Sequence, residues 1–190
     1  MPKDFSLSNL LRDLDYTVNG TYVHQWLFGI CAPRPGMRVL ELGCGSGKFG
    51  IAYAIKGALA DMYDIDPKLV EYATRLKHAV EALNACSIPA SVYKADLFDL
   101  TPPPDYLLHQ VGYDLVFNEG VPQHFLDEEK RQGCIDLMAR WAHPGGLVVI
   151  IGNNGLNPRE QETDRTFQFT NEGLPPNRKC FTREELKEKM

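Results

Sequence analysis

Five short apolar runs and the amphipathic segments between them set the order of elements along the chain. Short apolar runs that end in glycine or polar residues predict buried strands, and they lie at 37–42, 59–65, 90–96, 113–120 and 147–153. Apolar residues at helical spacing predict helices over 5–31 with a break at Asn19-Gly20, and over 48–57, 66–86 and about 126–142. The segments APRPG and HPGG, at 32–36 and 143–146, predict turns. This alternation of strands and helices predicts an α/β fold, a doubly wound, mostly parallel sheet flanked by helices.

The ends of the predicted strands share a chemical feature. Each strand ends in glycine or in a polar residue, namely Gly43, Asp64, Asp96, Asn118 with Glu119, and Asn153. The carboxyl ends of parallel strands lie at one edge of the sheet, where ligands of such folds bind. Any one of these residues alone is equally well an ordinary loop residue. Together they predict a binding site at that edge.

Length, charge and cysteine content narrow the class of protein. The 190 residues fit one domain, and 44% apolar with 24% charged residues is ordinary for a globular chain. The net charge of −5 has the wrong sign for a nucleic-acid or anionic-membrane partner. The five cysteines lack metal-ligand spacing, and no apolar stretch approaches the ~20 residues of a membrane span. Because the acidic N-terminus is also unlike a secretory signal, we expect a cytoplasmic protein without nucleic-acid or membrane partners.

The segment LELGCGSGKFG, residues 40–50, is a glycine-rich loop that follows a predicted strand. A nucleotide P-loop is excluded because Leu42 stands where its first glycine is required and Phe49 where its hydroxyl residue is required. A dinucleotide fingerprint is possible, since Gly45, Gly47 and Gly50 form GxGxxG and Asp64 follows Gly45 by 19 residues. A third pattern, Glu41-x-Gly43-x-Gly45-x-Gly47, places its first glycine at the strand end.

Glu41 favours the third pattern. An acid within a strand that is covered on both faces is costly to bury unless it meets a partner. A cationic ligand fragment would supply that partner, whereas the pyrophosphate of a dinucleotide would be repelled.

Five motifs in order carry a resemblance to a known family: VLELGCGSG, YDIDP, KADLFDL, YDLVFNEGVPQHF and MARWAHPGGLVVI. Over roughly 35–155 the chain resembles the class I S-adenosylmethionine-dependent methyltransferases, which have a Rossmann-like fold. The resemblance implies S-adenosylmethionine as cofactor and in-line methyl transfer to an oxygen, nitrogen or carbon of a small-molecule acceptor. An NAD(P)-dependent oxidoreductase and a non-catalytic, methyltransferase-like binding protein remain alternatives.

The resemblance also implies site residues. The glycine turn would hold the methionine part, with Glu41 near its amino end, while Asp64 would accept the ribose hydroxyls and Asp96 the adenine amino group. Asp66 is the competing choice for the ribose, but it is expected to cap a helix, and a capping role is the alternative for Asp96. The full set of implied cofactor residues is Tyr16, Glu41, Gly43, Cys44, Gly45, Ser46, Gly47, Asp64, Ile65, Asp96, Leu97, Asn118 and Glu119.

The acceptor is less clearly indicated. The chain has NEGV after the fourth strand, where amino-directed DNA methyltransferases carry an Asn/Asp-Pro-Pro-aromatic motif, and it has neither a cysteine there nor a convincing carboxylate group for magnesium. His124 is a candidate general base, and holding the loop by a hydrogen bond is its alternative role. Tyr16 and Tyr22 are candidates for a lid over the acceptor, whereas Trp26 and Phe28 are expected to pack in the core. No metal is expected.

These patterns divide the chain into parts. Residues 1–34 are expected to form a helical lid, 35–155 the cofactor-binding core, and 156–190 a loop and the start of a helix with a capping box at Thr182 and Glu185. The family fold continues with a final strand pair after such a helix. We therefore expect that pair to be missing from this chain, and a monomer or a homodimer.

Overall fold

The computed structural model of the chain describes residues 6–125 and 127–152. The five strands are β1 Arg38–Leu42, β2 Leu59–Asp64, β3 Ala90–Lys94, β4 Tyr113–Glu119 and β5 Ala142–Ile151. The helices in this part of the chain are α1 Leu7–Asn19, α2 Tyr22–Ile30, α3 Lys48–Ile55, α4 Pro67–Asn84, α5 Leu108–Val111 and α6 Glu128–Trp141. Short 3₁₀ turns lie at Leu97–Asp99, Asp105–Leu107 and Pro122–His124.

The five strands form one parallel sheet in the order β3-β2-β1-β4-β5. The chain runs outward from β1 to β3, then crosses back to place β4 on the other side of β1. Such a reversal opens a crevice between the two central strands at their carboxyl ends. The predicted doubly wound sheet is confirmed, and the reversal at β1 and β4 positions the candidate site.

Alternating side chains of β1 and β4 pack against helices on both faces of the sheet. Val39 and Phe117 lie on the face covered by α2 and α3, whereas Leu40 and Val116 lie on the face covered by α6. All four are fully buried. Because successive strand residues point to opposite faces, a strand covered on both sides is apolar along most of its length, and this explains the short apolar runs in the sequence.

Side-chain caps fix the starts of three helices. Ser6 caps α1, Asp66 caps α4 by accepting from the Lys68 amide at 2.9 Å, and Asp127 caps α6 by accepting from the Glu129 amide at 2.8 Å. Each cap satisfies an amide that the helix itself leaves unpaired. The prediction of a capping role for Asp66 is confirmed.

The predicted turn at HPGG is wrong. Strand β5 begins at Ala142 and includes His143–Gly146, which form an irregularity opposite β4 between the paired residues Tyr113 and Leu115. His143 Nε2 lies 3.2 Å from Asp114 Oδ1, and this contact holds the extra residues against the neighbouring strand. A strand can absorb extra residues as a bulge instead of ending, which the sequence signal of a turn does not distinguish.

The N-terminal helices differ from expectation in one respect. The break at Asn19-Gly20 is confirmed, and Phe28 packs on Tyr53 as predicted, with ring centroids 4.9 Å apart. Trp26, however, is 50% exposed, so its predicted core position is wrong. In α2 the inward face is occupied by His24 and Leu27, and Trp26 lies outside that face. Asn153 and the expected features of 156–190 lie outside the described residues.

Candidate functional site

A cavity of about 480 Å³ lies at the carboxyl edge of the sheet and is called here the sheet-edge cavity. Its walls come from the segments that follow β1, β2, β3 and β4, together with Lys130 in the first turn of α6. Because β4 and β3 lie on opposite sides of β1 and β2, Glu119 and Asp96 mark opposite ends of the cavity. The observed cavity therefore crosses the point where the strand order reverses.

The glycine turn after β1 forms the floor of the cavity. Gly43 has φ of 68°, a left-handed conformation that favours glycine, and an added Cβ would collide with the side chain of Val121. Gly50 serves a different purpose, because a Cβ there would lie 2.5 Å from the sulfur of Met62 and 2.9 Å from a carboxyl oxygen of Glu41. One glycine thus shapes the turn and the other lets α3 pack closely on the sheet.

Asp64, the last residue of β2, is hydrogen-bonded to the glycine turn. Its Oδ2 accepts from the Gly45 amide at 2.8 Å and its Oδ1 from the Asp66 amide at 2.9 Å. The residue is 8% exposed and lines the cavity. Since each carboxylate oxygen has two lone pairs, both oxygens can still accept a hydrogen bond from a ligand in the cavity.

Glu41 lies behind the turn rather than in the cavity wall. It is 1% exposed, and its Oε2 accepts from the Gly50 amide of α3 at 2.9 Å. Burial raises the pKa of Glu41 to about 8, and the hydrogen bond from Gly50 opposes this only in part. The carboxyl group is therefore mainly protonated at neutral pH.

One end of the cavity carries opposite charges. Lys48 is the first residue of α3, and its Nζ lies 3.5 Å from Oε2 of Glu119, the last residue of β4. Both side chains line the cavity and both are partly exposed. This pair joins the two strand ends between which the sheet order reverses.

The other end of the cavity is mainly apolar. Asp96 caps the 3₁₀ turn Leu97–Asp99 by accepting from the Phe98 amide at 3.0 Å, so the alternative capping role is observed. The same residue also lines the cavity, beside Leu97 and Phe98. Phe98 packs on Phe125 with ring centroids 5.3 Å apart. This end suits a flat, apolar group with a polar edge.

His124 lies in the loop after β4, where it is exposed and lines the cavity. The loop is tied to α6 by Arg131, which is 4% exposed and whose Nη1 donates to the Phe125 carbonyl at 2.6 Å. Arg131 also pairs with Glu128. This buried guanidinium joins the loop to α6 and holds this wall of the cavity in place.

In the part of the chain that the structure describes, no three His, Cys, Asp or Glu side chains lie close enough to hold a metal ion together. None of the described helices combines the length and the apolar character that a membrane span requires.

Comparison with known protein families shows which family this chain belongs to. A family model described as "Methyltransferase domain" matches residues 39–146. The chain belongs to this methyltransferase family. The resemblance to class I S-adenosylmethionine-dependent methyltransferases is thereby confirmed.

Solved methyltransferases share the fold. The magnesium protoporphyrin IX methyltransferase of Synechocystis PCC 6803, with bound S-adenosylhomocysteine, is 20% identical with a TM-score of 0.65, over 100% of this chain and 76% of that chain. The YcgJ protein of Bacillus subtilis is 16% identical with a TM-score of 0.64, over 88% and 65% of the two chains. A methyltransferase of Archaeoglobus fulgidus is 19% identical with a TM-score of 0.61, over 97% and 72%. At sequence identities this low, the similarity shows only that these proteins share a fold.

A curated relative matches more locally. The ribosomal protein L11 methyltransferase of a Nitratiruptor species is 50% identical over 38 residues. These residues are 20% of this chain and 14% of that protein.

The methyltransferase fold brings ten of the predicted site residues to the cavity and leaves five outside it. The ten are Gly43, Cys44, Gly45, Ser46, Asp64, Ile65, Asp96, Leu97, Glu119 and His124. Those outside the lining are Tyr16, Tyr22, Glu41, Gly47 and Asn118. Tyr22 is 83% exposed, and Asn118 is buried with its Nδ2 2.9 Å from the sulfur of Met138, on the α6 face. Glu41 lies behind the glycine turn, and Gly47 is the last residue of the turn and the N-cap of α3.

Sequence reasoning missed nine residues that line the cavity: Lys48, Tyr63, Asp66, Leu69, Ala95, Phe98, Val121, Phe125 and Lys130. Most are direct neighbours of a motif residue. Lys48 directly follows the motif VLELGCGSG, so extending that motif by one residue would have found it, whereas Phe98 lies within the motif KADLFDL and was passed over there. Lys130 lies in α6, and no motif pointed to it.

Proposed function

We propose that this chain is a methyltransferase that transfers the methyl group of S-adenosylmethionine to a small-molecule acceptor. The observation that carries the proposal is the order of groups along the sheet-edge cavity. A glycine turn at β1, a carboxylate at β2 and an apolar end at β3 match the methionine part, the ribose and the adenine of that cofactor.

The residues present fit the cofactor. Gly43 permits the tight turn after β1, where an added Cβ would collide with Val121, and the backbone of this turn would meet the methionine part. Asp64 has an acceptor lone pair left on each oxygen beyond its two amide bonds, and the two ribose hydroxyls require two acceptors. Asp96 and Leu97 would meet the polar edge of the adenine, with Ile65 and Phe98 against its faces.

The chemistry requires little from the protein beyond alignment. When bound, S-adenosylmethionine supplies a methyl group that is already activated by its sulfonium. The cavity walls orient the acceptor and exclude water, and positioning of this kind supplies ~7–11 kcal/mol. His124, exposed in the cavity wall, would accept the proton that the acceptor loses. His124→Ala should therefore lower kcat by no more than about the 10²–10⁴-fold that general-base catalysis contributes, while the affinity for S-adenosylhomocysteine stays nearly unchanged.

A small-molecule acceptor is supported by the net charge of −5, which has the wrong sign for attracting a nucleic acid. The structural relative from Synechocystis is named for a small-molecule substrate, magnesium protoporphyrin IX.

Calorimetric titration tests the cofactor first. We expect S-adenosylmethionine and S-adenosylhomocysteine to bind at micromolar strength and NAD to bind far more weakly. Turnover is then measured as S-adenosylhomocysteine release over a panel of hydroxyl, amine and carboxylate acceptors. Tight NAD binding without S-adenosylmethionine binding would overturn the proposal. Binding without turnover over the whole panel would favour the non-catalytic alternative.

A further inference from the structure

A buried histidine of the N-terminal helices contacts the segment that follows the glycine turn. His24 lies in α2 and is 1% exposed. Its Nε2 lies 3.4 Å from the carbonyl oxygen of Lys48, and its ring packs on the ring of Phe49 with centroids 4.4 Å apart. Lys48 and Phe49 are the first residues of α3, directly after Gly47. His24 therefore joins α2 to the chain at the point where the glycine turn ends.

The hydrogen bonds of His24 assign its proton. The Thr21 amide nitrogen lies 3.1 Å from Nδ1, and the Thr21 hydroxyl oxygen lies 2.8 Å from it. A backbone amide can only donate, so Nδ1 accepts and carries no proton. The proton of the neutral ring is then on Nε2, which donates to the Lys48 carbonyl. Burial lowers the pKa of His24, although the hydrogen bond with Lys48 opposes this, so the ring is neutral at neutral pH.

A second hydrogen bond joins α2 to α3 at the far end of their interface. The Tyr53 hydroxyl donates to the Cys31 carbonyl at 2.7 Å, at the C-terminal ends of the two helices. Both bonds fix α2 against α3, but only the bond of His24 is next to the glycine turn. The interface therefore contains a contact at the turn and a comparable contact away from it.

We propose that His24 is a positioning residue for S-adenosylmethionine. By holding the Lys48 carbonyl, it keeps the start of α3, and with it the glycine turn, in the arrangement that receives the methionine part of the cofactor. His24 is outside the lining of the sheet-edge cavity, so it acts through the backbone of the turn. This inference rests on the proposed function, because it adds a residue outside the cavity to the same site.

The size of the effect follows from the hydrogen bond that is lost. Loss of one neutral hydrogen bond shifts an equilibrium by about 2- to 10-fold. When the arrangement that binds a ligand is populated less often, the apparent Kd rises by the same factor. Loss of the contact with Lys48 should therefore weaken the binding of S-adenosylhomocysteine by about this factor.

Two substitutions separate the roles of the two ring nitrogens. In His24→Gln the side-chain amide can reach the Lys48 carbonyl, as Nε2 does. In His24→Asn the shorter side chain keeps an acceptor for the Thr21 amide, as Nδ1 does, but cannot reach Lys48. Both variants remove the ring from Phe49, so the difference between them reports the Lys48 contact. Calorimetric titration with S-adenosylhomocysteine should give a Kd for His24→Asn about 2- to 10-fold higher than for His24→Gln.

Tyr53→Phe is the matched control. It removes one hydrogen bond from the same interface, the bond to the Cys31 carbonyl, and keeps the aromatic ring. We expect a lower Tm and an unchanged affinity for S-adenosylhomocysteine. A loss of affinity in Tyr53→Phe as large as in His24→Asn would assign the effect to loosening of α2 as a whole and overturn the inference.

Hydrogen exchange of the wild type gives a test that needs no variant. Coupling between two parts of a protein is reciprocal. If α2 holds the glycine turn in the arrangement that binds, bound S-adenosylhomocysteine should hold α2 more firmly and slow the exchange of its amides. Unchanged exchange throughout α2 would overturn the inference.

The outcomes separate the two proposals. Equal Kd values for folded His24→Asn and His24→Gln would overturn this inference and leave the proposed function standing. Thermal unfolding shows whether each variant is folded, and the exchange measurement decides if either is not. Failure of the wild type to bind S-adenosylhomocysteine would overturn the proposed function, and the inference with it.

Discussion

At the scale of single residues, Asp64 is the side chain on which the cofactor assignment depends most. Asp64→Ala removes the acceptor for the ribose hydroxyls and also the brace on the Gly45 amide. We expect the affinity for S-adenosylhomocysteine to fall on the order of 100-fold, since each hydrogen bond to a charged group contributes about 1.5–3 kcal/mol. Calorimetry measures the change.

Asp66→Ala is the matched control for that change. Asp66 also lines the cavity, yet its side chain caps α4. Its loss should cost about 1 kcal/mol of stability and much less affinity than the loss of Asp64. An affinity that falls more in Asp66→Ala than in folded Asp64→Ala would move the ribose assignment to Asp66.

The free energy of unfolding should depend on pH because Glu41 titrates differently in the folded and the unfolded chain. Its pKa is about 8 in the folded chain against 4.5 ordinarily, so between these values the folded state holds a proton that the unfolded state has lost. The contribution of Glu41 therefore falls as pH rises through this range, by up to about 1.4 kcal/mol per pH unit. Urea unfolding of wild type and Glu41→Gln from pH 5 to pH 8.5 measures it.

Glu41→Gln keeps an oxygen that can accept from the Gly50 amide and has no charge to bury. We expect the free energy of unfolding of the variant, relative to wild type, to increase with pH. A difference that stays constant over the whole range would show that Glu41 is not buried as a titrating group.

At the scale of elements, the close packing of α3 on the sheet requires a residue without a side chain at position 50, which is Gly50. Gly50→Ala would place a Cβ 2.5 Å from the sulfur of Met62 and 2.9 Å from Glu41, so either these buried side chains or α3 itself must shift. Overpacking of this kind costs about 1–3 kcal/mol. Gly29→Ala in α2, with nothing within 4 Å of the added Cβ, should be neutral or stabilising by up to ~1 kcal/mol. Urea unfolding compares them, and equal effects would contradict the packing argument.

Periodicity predicted the order of strands and helices because each element buries a face that repeats with its own period. Periodicity failed at positions where contacts with neighbouring elements determine the local structure. The HPGG segment contains strong turn residues, yet its pairing with β4 and the contact of His143 with Asp114 draw it into a strand. Trp26 is a large apolar residue of the kind that usually packs in a core, but the inward face of α2 is occupied by His24 and Leu27.

The same distinction holds within the site. The glycine turn and Asp64 could be predicted because each lies in a local motif at a strand end. The pairing of Lys48 with Glu119 and the contact of Phe98 with Phe125 join segments that are distant along the chain. Such contacts depend on the order of strands in the sheet, which the sequence alone left open.

At the scale of the whole molecule, the sheet-edge cavity joins segments that follow four different strands. A ligand that contacts all four binds the folded chain and not the unfolded one. Free ligand at 100 times its Kd then stabilises the fold by about 2.7 kcal/mol. For a chain of this length that corresponds to a rise in Tm of roughly 5–10 °C.

We therefore expect S-adenosylhomocysteine at saturating concentration to raise the Tm of the wild type by this amount in differential scanning calorimetry. NAD at the same concentration should have little effect. Asp64→Ala should lose most of the rise, because the ligand no longer joins β2 to the other strand ends. Hydrogen exchange should slow together in the glycine turn, at 64–66, at 95–98 and at 119–125. Protection confined to one of these segments would mean that the ligand does not span the cavity, and that the four strand ends do not act as one site.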